Sequence, residues 1–123
     1  MDNKTTIEQL KKELVSFRDE RNWQKFHDPK NLSIALSIES AELQELFLWK
    51  SSEQIKSLLS SEKGTRRVRE ELADIFIYLL YLSKGCGIDL SDALMEKIKI
   101  NKRKYSVNKS YNSSKKYTEF GGD

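Results

Sequence analysis

The chain has 123 residues, a third of them charged, enough for one domain with a modest core. Its formal net charge of +3 is too small to imply a nucleic-acid partner, and a single cysteine, Cys86, excludes an internal disulfide and points to a reducing compartment. One proline and five glycines leave too little punctuation for a many-turned β fold and favour long helices.

No apolar signal core follows the polar start Met1–Thr6. The longest apolar run, Ile75 to Leu82, is too short to span a bilayer. A cytoplasmic protein with no membrane partner is expected.

In chain order, Thr5-x-x-Glu8 fits a capping box, and Ile7, Leu10, Leu14 and Phe17 recur at helical spacing as far as about Arg21. A connection over 22–30 ends in Asp28-Pro29, a pair suited to opening a helix. The second helix is expected from about Asn31 to Trp49. Ser51 can cap a short third helix over Gln54–Leu59, and Ser60 to Gly64 reads as a polar loop. A long helix over Thr65–Lys84 stops at Gly85 and Gly87. Asp89 or Ser91 caps a last helix that ends near Tyr105. The expectation is an all-α bundle of four to five helices, with a domain over 1–105 and a polar, basic tail over 106–123. With only Tyr111, Tyr117 and Phe120 to anchor it, that tail alone is expected to be mobile.

Two helices carry acids in the wrong place. On a helical wheel at about 100° per residue, Glu39 and Glu42 fall inside the apolar stripe formed by Leu32, Ala35, Leu36, Leu43, Leu46, Phe47 and Trp49. Glu71 and Asp74 likewise interrupt the stripe of Val68, Ile75, Tyr78, Leu79, Tyr81 and Leu82. A buried carboxylate costs several kcal/mol unless it is paired or metal-bound. Two such pairs in one small bundle call for a cation, and oxygen-only ligands suit magnesium or manganese. The competing reading is that these acids are half-exposed and paired with Arg66, Arg67 or Arg69.

The last helix offers the opposite sign. Lys97, Asn101 and Lys104 share a face with Leu90, Ala93, Leu94 and Ile100, either facing phosphates or snorkelling from the rim. Trp23, Phe26, His27, Phe47, Trp49 and Tyr78 are core or base-contacting aromatics, with Trp23 and Trp49 the better candidates for a nucleobase slot. The long helix is apolar on its other face as well, through Leu72, Ala73, Phe76, Ile77 and Leu80. A helix apolar all round needs cover on every side, so a homo-oligomer, dimer or tetramer, is expected.

These residues form a pattern. Trp23-Gln24-Lys25-Phe26-His27-Asp28-Pro29-Lys30-Asn31-Leu32, then Glu39-Ser40-Ala41-Glu42 with Leu46-Phe47-Leu48-Trp49, then Glu70-Glu71-Leu72-Ala73-Asp74-Ile75, resembles the MazG-like nucleotide pyrophosphohydrolases. The match runs on through Ile88-Asp89-Leu90, Lys97, Asn101 and Lys104-Tyr105, and its nearest branch is the single-domain, dCTP-pyrophosphatase-like one. The resemblance implies an all-α fold, homo-oligomers, and magnesium-dependent hydrolysis of a nucleoside triphosphate to monophosphate and pyrophosphate. It implies metal ligation and catalysis by Glu39, Glu42, Glu71 and Asp74, and a nucleotide pocket lined by Trp23, His27, Trp49, Tyr78 and Asn101. Two positions depart from the pattern: Leu14 stands where that branch can carry a polar ring, and Ser106 where many members have proline.

The chemistry expected is attack of water on the α-phosphorus of a pyrimidine or modified deoxynucleotide such as dCTP, with Lys97 and Lys104 steadying the pyrophosphate. The rival readings are an all-α dUTP pyrophosphatase and a non-catalytic helical module that binds nucleic acid or another partner through its basic tail.

Overall fold

The structure, a computed structural model, describes residues 1–121, and all regular structure in them is helical. The helices are α1 (Ile7–Asp19), α2 (Pro29–Phe47), α3 (Ser52–Ser60), α4 (Glu62–Cys86), α5 (Leu90–Lys104) and α6 (Val107–Ser110), with 3-10 turns at Gln24–Phe26 and Tyr117–Glu119. The chain divides into two compact units, one over Met1–Gly87 and one beginning at Ile88.

Local chemistry explains most boundaries. The Asp28 side chain accepts from the Asn31 N–H and Pro29 occupies the first turn of α2, where its missing donor costs nothing. Ser51 and Gln54 cap α3 reciprocally, and Asp89 caps α5. Gly87 ends α4 in left-handed backbone, φ 65°, which glycine adopts without a steric penalty.

Four expectations need correction. The capping box of α1 is Thr6 with Gln9, not Thr5 with Glu8, and α1 ends at Asp19. The polar loop before α4 shrinks to Ser61, which caps the helix that Glu62 opens. Gly64 is therefore a helical residue, and a β-carbon on it would collide with the carbonyl oxygen of Leu58. It permits the tight α3–α4 corner. Next, α2 stops at Phe47, because Leu48 is extended and Trp49 is left-handed, φ 60°. Finally, the tail is folded through Phe120: α6 and the second 3-10 turn lie in it, and both Tyr117 and Phe120 set their rings edge-on to Tyr105.

Within the first unit α4 is the central element, packed by α2, α3 and α1, with α2 making the largest contact. Leu32 near the start of α2 approaches Gly85 near the end of α4, so the two helices run antiparallel. Leu32 and Leu80 are each 2% exposed, and Leu46 and Tyr81 complete the small buried core. Burying each leucine contributes about 1.5–3 kcal/mol. Much apolar surface stays uncovered: Ile34 and Ile38 on α2 and Leu72 on α4 are about half exposed.

Candidate metal centre and substrate cavity

Antiparallel packing of α2 on α4 brings the two acid pairs level with one another. Glu39, Glu42 and Glu71 each offer a carboxylate oxygen, and these oxygens lie within 4.8 Å of one another. Glu39 and Glu71 are half-buried and Glu42 is exposed. Asp74, nearly one turn further along α4, falls outside this trio and instead lines the neighbouring cavity. Its charge still bears on Glu39. None of the ion pairs among the described residues uses Arg66, Arg67 or Arg69, so the alternative of arginine-paired acids is not what the structure contains.

The electrostatics are unfavourable without a cation or a proton. Burial, first, then the contact with Glu42 and the charges of Glu42 and Asp74 push the Glu39 carboxyl up to about 7, from 4.5. One oxygen of Glu39 and one of Glu71 are buried with no hydrogen-bond partner. Carboxylate oxygens in that state need a positive charge to replace the water they have lost. The donors are all hard oxygens, with no histidine or cysteine among them, which fits magnesium or manganese and not zinc.

Beside the trio lies a cavity of about 330 Å³ lined by Leu14 and Phe17 of α1, Trp23 and His27 of the connection, and Asp74, Ile77, Tyr78 and Tyr81 of α4. The site-facing residues of α4 follow one stripe: Glu71, Asp74, Tyr78, Tyr81. Tyr78 has its phenol pushed above the usual tyrosine value by burial and by the charges of Glu39, Asp74 and Glu42, which places it where cavity and acid cluster meet. The Tyr81 hydroxyl donates to the Leu14 carbonyl at 2.6 Å and so ties α4 to α1. His27 packs edge-on to Tyr81, centroids 4.6 Å apart. Burial and the nearby positive charge of Arg18 lower its pKa, so the ring is neutral at pH 7. Its Nδ1 is buried without a partner. Phe17 meets Trp23 edge-on at 5.9 Å, and the Arg21 guanidinium covers the outer face of Phe17.

Of the aromatics singled out in the sequence, Trp23, His27 and Tyr78 line this cavity and Trp49 does not. Trp49 lies beyond the end of α2, 92% exposed, so it lies outside the stripe that a longer helix would have given it. Lys97, Asn101 and Lys104 lie on α5 in the second unit; the first two are exposed and Lys104 is half-buried. Tyr81, which shares the stripe of Glu71 and Tyr78, lines the cavity as well. One residue outside the lining goes unmarked by the sequence pattern although its charge acts on His27. Arg18, 8% exposed and paired with Asp19 at 2.9 Å, falls four residues after Leu14, inside the apolar stripe of α1.

An all-α unit with a trio of carboxylates beside an aromatic cavity has the donors for a hard divalent cation and a concave wall for an aromatic ligand. The sequence pattern of the MazG-like family matches residues 34–120. dCTP pyrophosphatase 1 of Homo sapiens is 40% identical over 114 residues, spanning 93% of this chain and 67% of that one. The Bos taurus protein of the same name is also 40% identical, over 93% of this chain and 68% of its own. A solved pyrophosphatase from Archaeoglobus fulgidus is 45% identical, with a TM-score of 0.74, over 80% of this chain and 91% of that one. The chain therefore belongs to the MazG-like family. It is a hydrolase of the nucleotide pyrophosphatase class.

Proposed function

We propose that the chain uses magnesium, with manganese able to substitute, to hydrolyse a pyrimidine or modified deoxynucleoside triphosphate such as dCTP. Water attacks the α-phosphorus, the bond to the bridging oxygen breaks, and the monophosphate and pyrophosphate leave. The meeting of three carboxylates from two helices beside an aromatic-walled cavity carries this reading.

In this reading Glu39, Glu42 and Glu71, with Asp74 from the cavity side, hold the metal. When bound, the metal supplies positive charge against phosphate oxygens and lowers the pKa of a coordinated water. Trp23 offers a stacking face and Tyr78 a hydroxyl at the border between base and phosphates, while the neutral His27 gives a hydrogen-bonding edge. Leu14, Phe17 and Ile77 enclose the base in carbon and exclude water. Lys97, Asn101 and Lys104 meet the phosphates, and Trp49 adds a substrate contact from outside the cavity. Ile34, Ile38, Leu72 and Phe76 are exposed apolar residues of α2 and α4, and we assign them to a homo-oligomer interface.

Pyrophosphate release from a panel of ordinary and modified triphosphates, with magnesium and then with a chelator, tests the proposal. Turnover should require the metal and favour dCTP. A preference for dUTP would replace the substrate with that of an all-α dUTP pyrophosphatase. No turnover of any triphosphate, together with salt-sensitive oligonucleotide binding, would move the chain to the non-catalytic reading. Among the described residues no helix is long and apolar enough to cross a membrane.

A further inference from the structure

Of the side-chain hydrogen bonds among the described residues, one reaches far along the chain. The Tyr81 hydroxyl donates to the Leu14 carbonyl across 67 residues, at 2.6 Å, whereas the next longest span, Thr65 to Leu59, is 6 residues. No ion pair among the described residues joins α1 to another helix. The polar attachment of α1 to α4 therefore rests on one hydroxyl.

Both partners in that bond are also cavity residues. Leu14 gives its main-chain oxygen to the bond and its side chain to the cavity wall, and Tyr81 lines the cavity from the α4 side. A mid-helix carbonyl has a second lone pair beyond the one its own helix uses, so α1 loses no internal bond. The Tyr81 ring also meets His27, edge-on with centroids 4.6 Å apart, and so backs a second wall. Burial above all holds the Tyr81 phenol above the usual tyrosine value, so the hydroxyl keeps the proton it donates. The cavity between these walls measures about 330 Å³, at the small end of the roughly 300–1,000 Å³ of small-molecule sites. In a space that small, a modest outward shift of α1 changes which base fits.

We infer that Tyr81 is a positioning residue that determines specificity: its hydroxyl holds α1 against α4, its ring backs His27, and together they keep the cavity too narrow for a two-ring base. None of the three clustered carboxylates lies on α1, so the bond governs which triphosphate is admitted and not how fast a bound one is cleaved. The inference rests on the proposed function for its ligand. The tie between the two helices stands without it.

Two measurements test it, on the full-length chain. Tyr81→Phe keeps the ring against His27 and removes the hydroxyl alone. Hydrogen exchange read by mass spectrometry should show α1 peptides exchanging at least about threefold faster in this variant, with α3 peptides unchanged. The second measurement is steady-state kinetics with magnesium and either dCTP or dATP. Tyr81→Phe should raise KM for dCTP by about three- to tenfold, the worth of one hydrogen bond, and leave kcat within about twofold. The preference for dCTP over dATP should fall by at least about tenfold, because the larger base gains the room that the smaller one no longer fills. Leu14→Ala keeps the main-chain acceptor and trims the wall directly, so it should lower the same preference even if the tyrosine variant folds poorly. A wild type that took dATP as readily as dCTP would overturn the inference, as would an unchanged preference in either variant. Wild-type exchange of α1 in Tyr81→Phe would overturn it too. If the wild type turned over no triphosphate, the functional reading would fail. The exchange rates would then still decide whether the hydroxyl holds the cavity wall, so the two failures are distinguishable.

Discussion

The two sides of α4 invert the usual rule of burial. On one side Glu71, Asp74 and Tyr78 are half-buried against neighbouring elements, and Tyr81 is almost fully enclosed. On another Leu72 is 52% exposed and Phe76 is 39% exposed. A helix folding only to build a core would present these sides the other way round, since burying carboxylates costs free energy and exposing leucine and phenylalanine forgoes it. The difference is what the proposed metal centre on the acidic side and the proposed homo-oligomer interface on the other would each require.

Breaking the acidic side should have the largest effect. Glu42→Gln and Glu71→Gln each remove a negative charge and a hard ligand at nearly constant volume. Magnesium-dependent pyrophosphate release should fall by at least about a hundredfold. Circular dichroism should show an unchanged helix content, because relieving like-charge repulsion does not unfold a bundle. Full activity in both variants would remove the metal centre from the account.

Breaking the apolar side should have a smaller and different effect. Leu72→Glu with Phe76→Glu places charge on surface that the isolated chain already exposes, so the monomer fold should tolerate it. Sedimentation equilibrium should show an oligomeric mass for the wild type and a mass shifted toward the monomer for the double variant. A wild type that sediments as a monomer would assign that apolar surface to something other than a second copy.

How far these features could be read from the sequence depended on whether they were periodic. The acid pairs Glu39/Glu42 and Glu71/Asp74 were legible because three-residue spacing puts both members on one helix face, and an acid in an apolar stripe is conspicuous. For the same reason α1, α2, α4 and α5 were placed to within about three residues at most of their ends. Gly64 reads in the sequence as a loop residue because a glycine signals either a break or a close approach, and only the packed α3–α4 corner distinguishes them. The position of Trp49 outside α2 is hidden in the sequence because a left-handed exit from a helix leaves no periodic trace. The order in the tail was illegible since it depends on the Tyr105 ring meeting Tyr117 and Phe120, a tertiary contact that polar composition conceals. Arg18, hidden in the stripe of α1, was legible in principle by the same argument that exposed the acids.

The smallest effect is the one that isolates the electrostatics of the acidic side. In metal-free protein the Glu39 carboxyl is held up at about 7 by burial and by its acidic neighbours, against 4.5 in the unfolded chain. Between these values the folded state keeps a proton that the unfolded state has released, so each rise in pH favours unfolding. The stabilising contribution of this group is complete below the unfolded value and is lost as pH climbs through the folded one. Thermal melts in chelator from about pH 5 to about pH 8 should show stability declining over that window, and Glu39→Gln, which has no proton to lose, should flatten the decline. Because other groups titrate as well, the quantity to compare is the difference between the two proteins at each pH. Magnesium should raise the melting temperature most at the alkaline end, where the carboxylates are fully charged. Parallel curves for the two proteins in chelator would mean that Glu39 titrates as an ordinary surface acid, and the repulsion that makes a cation necessary on this side of α4 would be missing.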